Sequence, residues 1–213
     1  MNVLVIAPHP DDETIGCGGT LCLHRQRGDR TAIVCLTSGE LGLKHLPRVK
    51  AWTTREREAK AAAKILGAAR VHFLRQPDWG LSEHVGPAAA ALRRVLALEQ
   101  PQLIYVPHEA DGHPDHQAAM PILQRALKQN HQAGPELAVR AYEVWTPLAA
   151  PDQVEDISRM MPSKVRALRA HASQLVEFQY ERAVRGLNAF RGELSARCRY
   201  AEVFQTRSVE PPA

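Results

Sequence analysis

Five short apolar runs rich in β-branched residues punctuate the first 146 residues: "VLVIA" at 3–7, "TAIVCLT" at 31–37, "VHFLR" at 71–75, "QLIYVPH" at 102–108 and "LAVRAYEVWT" at 137–146. Each is separated from the next by a segment long enough for a helix. Runs that are continuously apolar rather than alternating read as strands buried on both faces. Strands that alternate with helices pair in parallel through right-handed crossovers, which predicts an α/β fold: a Rossmann-like, doubly wound, mostly parallel sheet between two helical layers.

The intervening segments carry their own boundary signals. Glu13–Arg27 has helical length despite Gly16, Gly18 and Gly19, which lower helix propensity. "TTREREAKAAAKILGA" reads as a helix that Thr53 or Thr54 caps and Gly67 ends. Pro87 opens another helix, and Pro114 is placed as the first helical residue of a third, with His113 at its N-cap. Residues 162–194 are expected to be helical with a break near Gly186, and "YAEVFQT" at 200–206 forms a final strand. No repeat or linker divides residues 1–213, so one domain is expected, with the last six residues, "SVEPPA", disordered.

A content of 45% hydrophobic residues in 213 supports one sizeable core. The net charge of +4 is spread over arginines in every segment, without a basic block or aromatic stripe, so no nucleic-acid partner is expected. No run approaches the length of a membrane span, and the N-terminus enters a strand without a leader pattern. Cys17, Cys22, Cys35 and Cys198 show no C-x-x-C spacing, and a reducing cytoplasm is the expected location.

Two crowded stretches then require explanation. "PHPDDETIG" at 8–16 follows the first strand, and "HEADGHPDH" at 108–116 begins at the end of the fourth. Adjacent carboxylates repel one another and resist burial unless a cation or hydrogen bonds compensate them. In open α/β sheets ligands bind beyond the carboxyl ends of the strands, where both stretches fall. Histidines mixed with carboxylates suit zinc or another first-row dication, and a catalytic zinc takes three protein ligands and leaves one position for water.

"PHPDDE" with "HPDH" about a hundred residues later resembles the LmbE-like (PIG-L) family of zinc-dependent N-acetylglucosaminyl deacetylases. "TSGE" at 37–40, "REREA" at 55–59, "QPDW" at 76–79, "HASQ" at 171–174 and "YAEVF" at 200–204 extend the likeness along nearly the whole chain. The resemblance implies one zinc ion held by His9, Asp12 and His116, with Asp11 as general base. It also implies His113 as the electrophile or acid, with Asp115 holding His113, and Arg55 contacting the sugar or an anionic aglycone. Pro8 departs from the family's usual alanine without touching these positions. The implied substrate is a small N-acetylglucosamine conjugate, such as the malate conjugate of bacillithiol synthesis or the inositol conjugate of the mycothiol type. Homo-oligomers are common in the family.

Simpler readings compete at single positions. Glu13 reads as a first-turn acid favoured by the helix dipole. His108 is a loop residue beside the site, and His45, His72, His84 and His131 are surface or internally satisfied groups. His171 either supports the site or packs its helix, and the "GCGG" run marks close packing rather than a phosphate loop. The "HPD" tripeptide also occurs in co-chaperone J-domains, but there it joins two helices of a small helical module, whereas here it twice follows a strand. A non-catalytic relative would have lost a ligand or the base, and none is replaced. A metal-dependent hydrolase of another amide or ester is the alternative enzyme, since fold and metal do not set the substrate.

Overall fold

The computed structural model describes residues 1–128, 137–176 and 178–208. In chain order the elements are β1 (Asn2–Ala7), α1 (Asp12–Gln26), β2 (Arg30–Thr37), α2 (Arg48–Leu66), β3 (Arg70–Gln76), α3 (Val85–Glu99), β4 (Leu103–Pro107) and α4 (Pro114–Lys128). Then follow β5 (Ala138–Tyr142), β6 (Gln153–Asp156), α5 (Met161–Ala170), α6 (Tyr180–Arg191) and β7 (Ala201–Arg207). Short 3-10 and π turns occupy Glu40–Leu43 and Gly192–Ala196.

The seven strands form one sheet in the order β3-β2-β1-β4-β5-β7-β6. β3, β2, β1, β4 and β5 are parallel, while β7 runs antiparallel to both of its neighbours. The pleat divides the core. Leu4 and Ile6 of β1 pack with Val34 and Ile104 against Leu92 of α3 and Leu123 of α4. Val3, Val5 and Ala7 face the other way, toward Leu21 of α1 and Leu66 of α2. Alternate side chains thus need separate helical layers, which is why the strands read as continuously apolar.

The glycines of α1 serve close approach. A Cβ on Gly16 would lie 2.2 Å from the Tyr142 ring, and one on Gly19 would lie 2.6 Å from Ile157. Below them Lys164 is fully buried, and each of its three donors has an acceptor: Ile15 O at 2.7 Å, Asn188 Oδ1 at 2.9 Å and Glu202 Oε1 at 2.6 Å. This internal ion pair ties α1, α5, α6 and β7 together.

Several boundaries differ from expectation. α2 begins at Arg48, five residues before Thr53, whose hydroxyl donates to Val49 O and Lys50 O inside the helix instead of capping it. Gly67 does end that helix, at φ 89°. Residues 162–194 do not form one helix: α5 ends at Ala170 and α6 begins at Tyr180, whereas Gly186 sits within α6. β6 was not anticipated: its four residues pair only at the sheet edge. The expected disorder of the last residues, from 209 on, and the reading of His131 lie outside the described residues. The cysteines are free, and among the described residues no helix is long and apolar enough to cross a membrane.

Candidate active site

The strand order turns back between β1 and β4: from β1 the chain builds outward to β2 and β3, then returns to β1's other side. Loops leaving these two adjacent strands diverge and open a crevice at their carboxyl ends. His9–Asp12 and His108–His116 emerge there, about a hundred residues apart in sequence.

His9 Nδ1, Asp12 Oδ2 and His116 Nε2 form a nearly equilateral triangle. The sides are 3.2 Å (His9–Asp12), 3.3 Å (His9–His116) and 3.3 Å (His116–Asp12). A tetrahedral ion bonded at about 2.0–2.1 Å sets its ligand atoms about 3.3–3.4 Å apart. Two imidazoles and one carboxylate at this spacing therefore fit a first-row dication. His113 also brings a ring nitrogen within 4.8 Å of those of His9 and His116, but stands outside the tight triangle. The grouping of His9 with Asp78 and Asp115 is of another kind, because there His9 Nε2 lies 3.1 Å from each carboxylate and faces away from the triangle.

Buried carboxylates set which ring nitrogen faces the triangle. Asp115 Oδ2 accepts from His9 Nε2 at 3.1 Å, leaving Nδ1 toward Asp12. Asp111 Oδ1 accepts from His116 Nδ1 at 3.0 Å, leaving Nε2 toward Asp12. Such partners fix tautomer and ring orientation in metal sites. Both aspartates also hold a tryptophan loop. Asp115 accepts from the Trp79 and Leu81 amides at 2.7 and 3.0 Å, and Asp111 accepts from the Trp145 and Thr146 amides at 2.9 and 3.1 Å.

Burial opposes charge on His9, yet Asp115, Asp12 and Asp78 together hold its pKa well above the ordinary value. Burial likewise works against the charge on His116, but Asp12 and Asp111 raise it to about 9. Burial also disfavours the Asp12 carboxylate, yet His116 and His9 hold it far below the usual carboxylate range. Protonated imidazoles thus balance the acids, and a dication binding there would displace their protons.

Asp11 and His113 flank the triangle within the same cavity wall. Asp11 stands at the N-cap position of α1 without a side-chain capping bond, at φ 140°, a conformation disfavoured for a non-glycine residue. Its amide is 3.2 Å from Glu13 Oε2, and Arg55 Nη2 donates to its carboxylate at 3.3 Å. Burial pushes the Asp11 carboxyl up to about 6, against the pull of Arg55. His113 Nδ1 accepts the Asp115 amide at 3.1 Å, so the neutral ring carries its proton on Nε2. Burial, then the charges of His9 and His116, push His113 down to about 4.

Two expected contacts are arranged differently. The Asp115 side chain holds His9, and only its backbone amide touches His113, because the first turn of α4 aims the carboxylate back across the crevice. Arg55 lies in the cavity wall but spends its guanidinium on Pro10 O at 2.7 Å, Gly39 O at 3.1 Å and Asp11. His171 Nε2 lies 3.3 Å from Thr14 Oγ1 and 3.6 Å from Glu13 Oε1, under the first turn of α1. His108 is a loop residue bonded to Thr146 O at 2.7 Å, while His72 and His84 pair with Glu99 and Gly80 O. His45 is exposed in the cavity wall.

Sequence reasoning missed Asp78, Asp111, Trp79 and Trp145. Asp78 and Asp111 stand inside motifs already singled out, but spacing does not say which imidazole a carboxylate reaches. Trp79 has φ 63°, and its ring centre lies 4.4 Å from that of His113, while Trp145 meets His113 edge-on at 5.7 Å. The cavity holds about 470 Å³. It joins a charged, metal-ready floor to aromatic walls, the setting for polarising a carbonyl and moving a proton.

Residues 4–127, more than half of the chain, match the PIG-L family model, described as GlcNAc-PI de-N-acetylase. The chain is 30% identical over 184 residues to the probable N-acetyl-alpha-D-glucosaminyl L-malate deacetylase 2 of Bacillus anthracis, covering 81% of each. N,N'-diacetylchitobiose deacetylase from Pyrococcus horikoshii matches its fold with a TM-score of 0.82 at 26% identity, over 97% of this chain and 84% of that one. The 4-carboxy-2-hydroxymuconate hydratase GalB from Pseudomonas putida KT2440 matches at 0.74 and 27% identity over 100% of both chains.

Proposed function

The chain belongs to the PIG-L family of de-N-acetylases, and from that premise we propose that it hydrolyses the acetamide of an N-acetylglucosamine conjugate, releasing acetate and a free amine. The observation that carries this reading is the 3.2–3.3 Å triangle of His9, Asp12 and His116 with Asp11 and His113 on the same cavity wall.

His9, Asp12 and His116 would hold one divalent cation, and zinc suits two imidazoles and a carboxylate better than magnesium or calcium does. When bound, such an ion supplies Lewis acidity and brings the pKa of water down toward about 7. Asp11, a buried carboxylate beside the ligand set, takes the proton from the attacking water. His113, neutral, donates its Nε2–H to the carbonyl oxygen as negative charge develops there. The C–N bond then breaks, and Asp11 returns its proton to the departing nitrogen. Asp115 and Asp111 orient His9 and His116, and Arg55 holds the strained Asp11 in place.

The test is acetate release from N-acetylglucosaminyl-malate, the corresponding inositol conjugate and diacetylchitobiose, before and after chelation and with zinc restored. Chelator-sensitive release that zinc restores is expected from at least one of them. Acetate release indifferent to chelation would remove the metal from the reading. No release from these three or from a wider panel of N-acetylglucosaminides, by protein carrying about one metal per chain, would remove the deacetylase reading, since the fold also carries a hydratase.

A further inference from the structure

The cavity continues beyond the reacting groups. Trp145, Phe178 and Tyr180 form one side of it and also line a second concavity of about 320 Å³, with Val144, Val184 and Leu187. This groove runs along α6. Among the described residues no charged one lines it, and the amide of Asn188 is spent on Lys164 and Ala201 O at 2.9 and 3.0 Å. A ligand in the groove would meet almost entirely carbon.

The groove starts close to the chemistry. The Trp145 ring lies 5.7 Å from that of His113, and the Phe178 ring lies 6.3 Å from that of Trp145. Trp145 is 54% exposed and Phe178 46%, yet the backbone beneath Trp145 is pinned to Asp111. A large exposed aromatic on a fixed backbone, as at Trp145, forms a preformed apolar surface. Lys44 and Arg55 lie in the main cavity outside this groove, and Arg55 is committed to three oxygens. A carboxylate-bearing aglycone in the groove would meet no cation among the described residues that line it.

We propose that this groove is an aglycone subsite, and that the substrates are N-acetylglucosamine glycosides whose other half is apolar, an alkyl chain or an aromatic ring. The proposal rests on the deacetylase reading above. The acetamide sits at Asp11 and His113, and the aglycone crosses Trp145 and Phe178 into the groove.

The test compares kcat/KM for acetate release from methyl and octyl N-acetylglucosaminides of one anomeric configuration, using the zinc-loaded full chain. The octyl-to-methyl ratio is expected to be about tenfold or more, the scale on which buried methylenes discriminate. Leu187→Glu and Ala183→Glu, half-buried and exposed on α6, place a carboxylate in the groove and should bring the ratio toward one. Circular dichroism and metal content would show that each variant is folded. A wild-type ratio near one overturns the proposal while leaving the deacetylase standing, as does a high ratio that neither variant changes. No acetate from either glycoside overturns the proposal, and the parent reading is then decided separately by release from the malate, inositol and chitobiose conjugates. A wild-type dimer in sedimentation that Leu187→Glu dissociates, with a ratio near one, assigns the face to a second copy of the chain and also overturns the proposal.

Discussion

Asp111→Asn separates two tasks of one buried carboxylate. Asp111 is 1% exposed, and its Oδ1 accepts from His116 Nδ1 at 3.0 Å and from the His113 amide at 3.1 Å. Its Oδ2 accepts from the Trp145 and Thr146 amides. Asparagine has the same shape but one acceptor oxygen. With that oxygen on the tryptophan loop, its NH2 faces His116 Nδ1 and leaves one buried amide unmet, at a cost of about 1–3 kcal/mol. The opposite orientation leaves two amides unmet, about 2–6 kcal/mol, and is disfavoured. In the preferred orientation His116 must accept at Nδ1 and carry its proton on Nε2, the nitrogen that faces Asp12 and His9. The variant is therefore expected to lose about 1–3 kcal/mol in urea unfolding with chelator present. Its zinc affinity should fall by about 10–100-fold, the usual effect of removing a partner of a ligating histidine. Competition with a chromogenic chelator measures the second quantity. Unchanged zinc affinity in a folded variant would show that Asp111 does not set the His116 tautomer, and the orientation argument would fail.

Asp11→Asn should retain about one zinc per chain and lose about 10²–10⁴-fold in kcat, the range of a general base; near-full activity would assign the base to another group. Zinc affinity should weaken as pH falls from about 9, because His116, held at about 9, and His9 keep protons that the cation must displace. Chelator competition across that range checks this, and a flat profile would contradict it. Arg55→Met removes the positive charge that favours the Asp11 carboxylate. The Asp11 pKa then rises further, the base form requires higher pH, and the acid limb of kcat/KM should move upward. A pure rise in KM with an unmoved pH profile would make Arg55 a substrate contact instead.

The difference between what was legible in the sequence and what was not follows the range of the interactions. The parallel core was legible because "VLVIA" and "TAIVCLT" bury side chains on both faces, a local pattern with one structural solution. α4 began at Pro114 as expected, because its start signal lies within its own first turn. β6 escaped because "QVED" has little strand character of its own and pairs only because β7 lies beside it. The break between α5 and α6 went to Gly186 on propensity, but tertiary packing sets it around His171, whose ring lies beneath α1.

The site divides in the same way. The sequence alone determined that two stretches dense in histidine and aspartate follow the carboxyl ends of strands, and that such donors call for a cation. Only the tertiary structure decided that Asp115 turns to His9 rather than His113, that Asp111 holds His116, and that Arg55 grips Asp11 and two carbonyls. It alone joined Trp79 and Trp145 around His113 and opened an apolar groove beside them. Residue type and local spacing determine which donors a loop carries. The direction each side chain takes depends on backbone angles and on neighbours contributed by distant segments, and those meet only when the sheet brings β1 and β4 side by side.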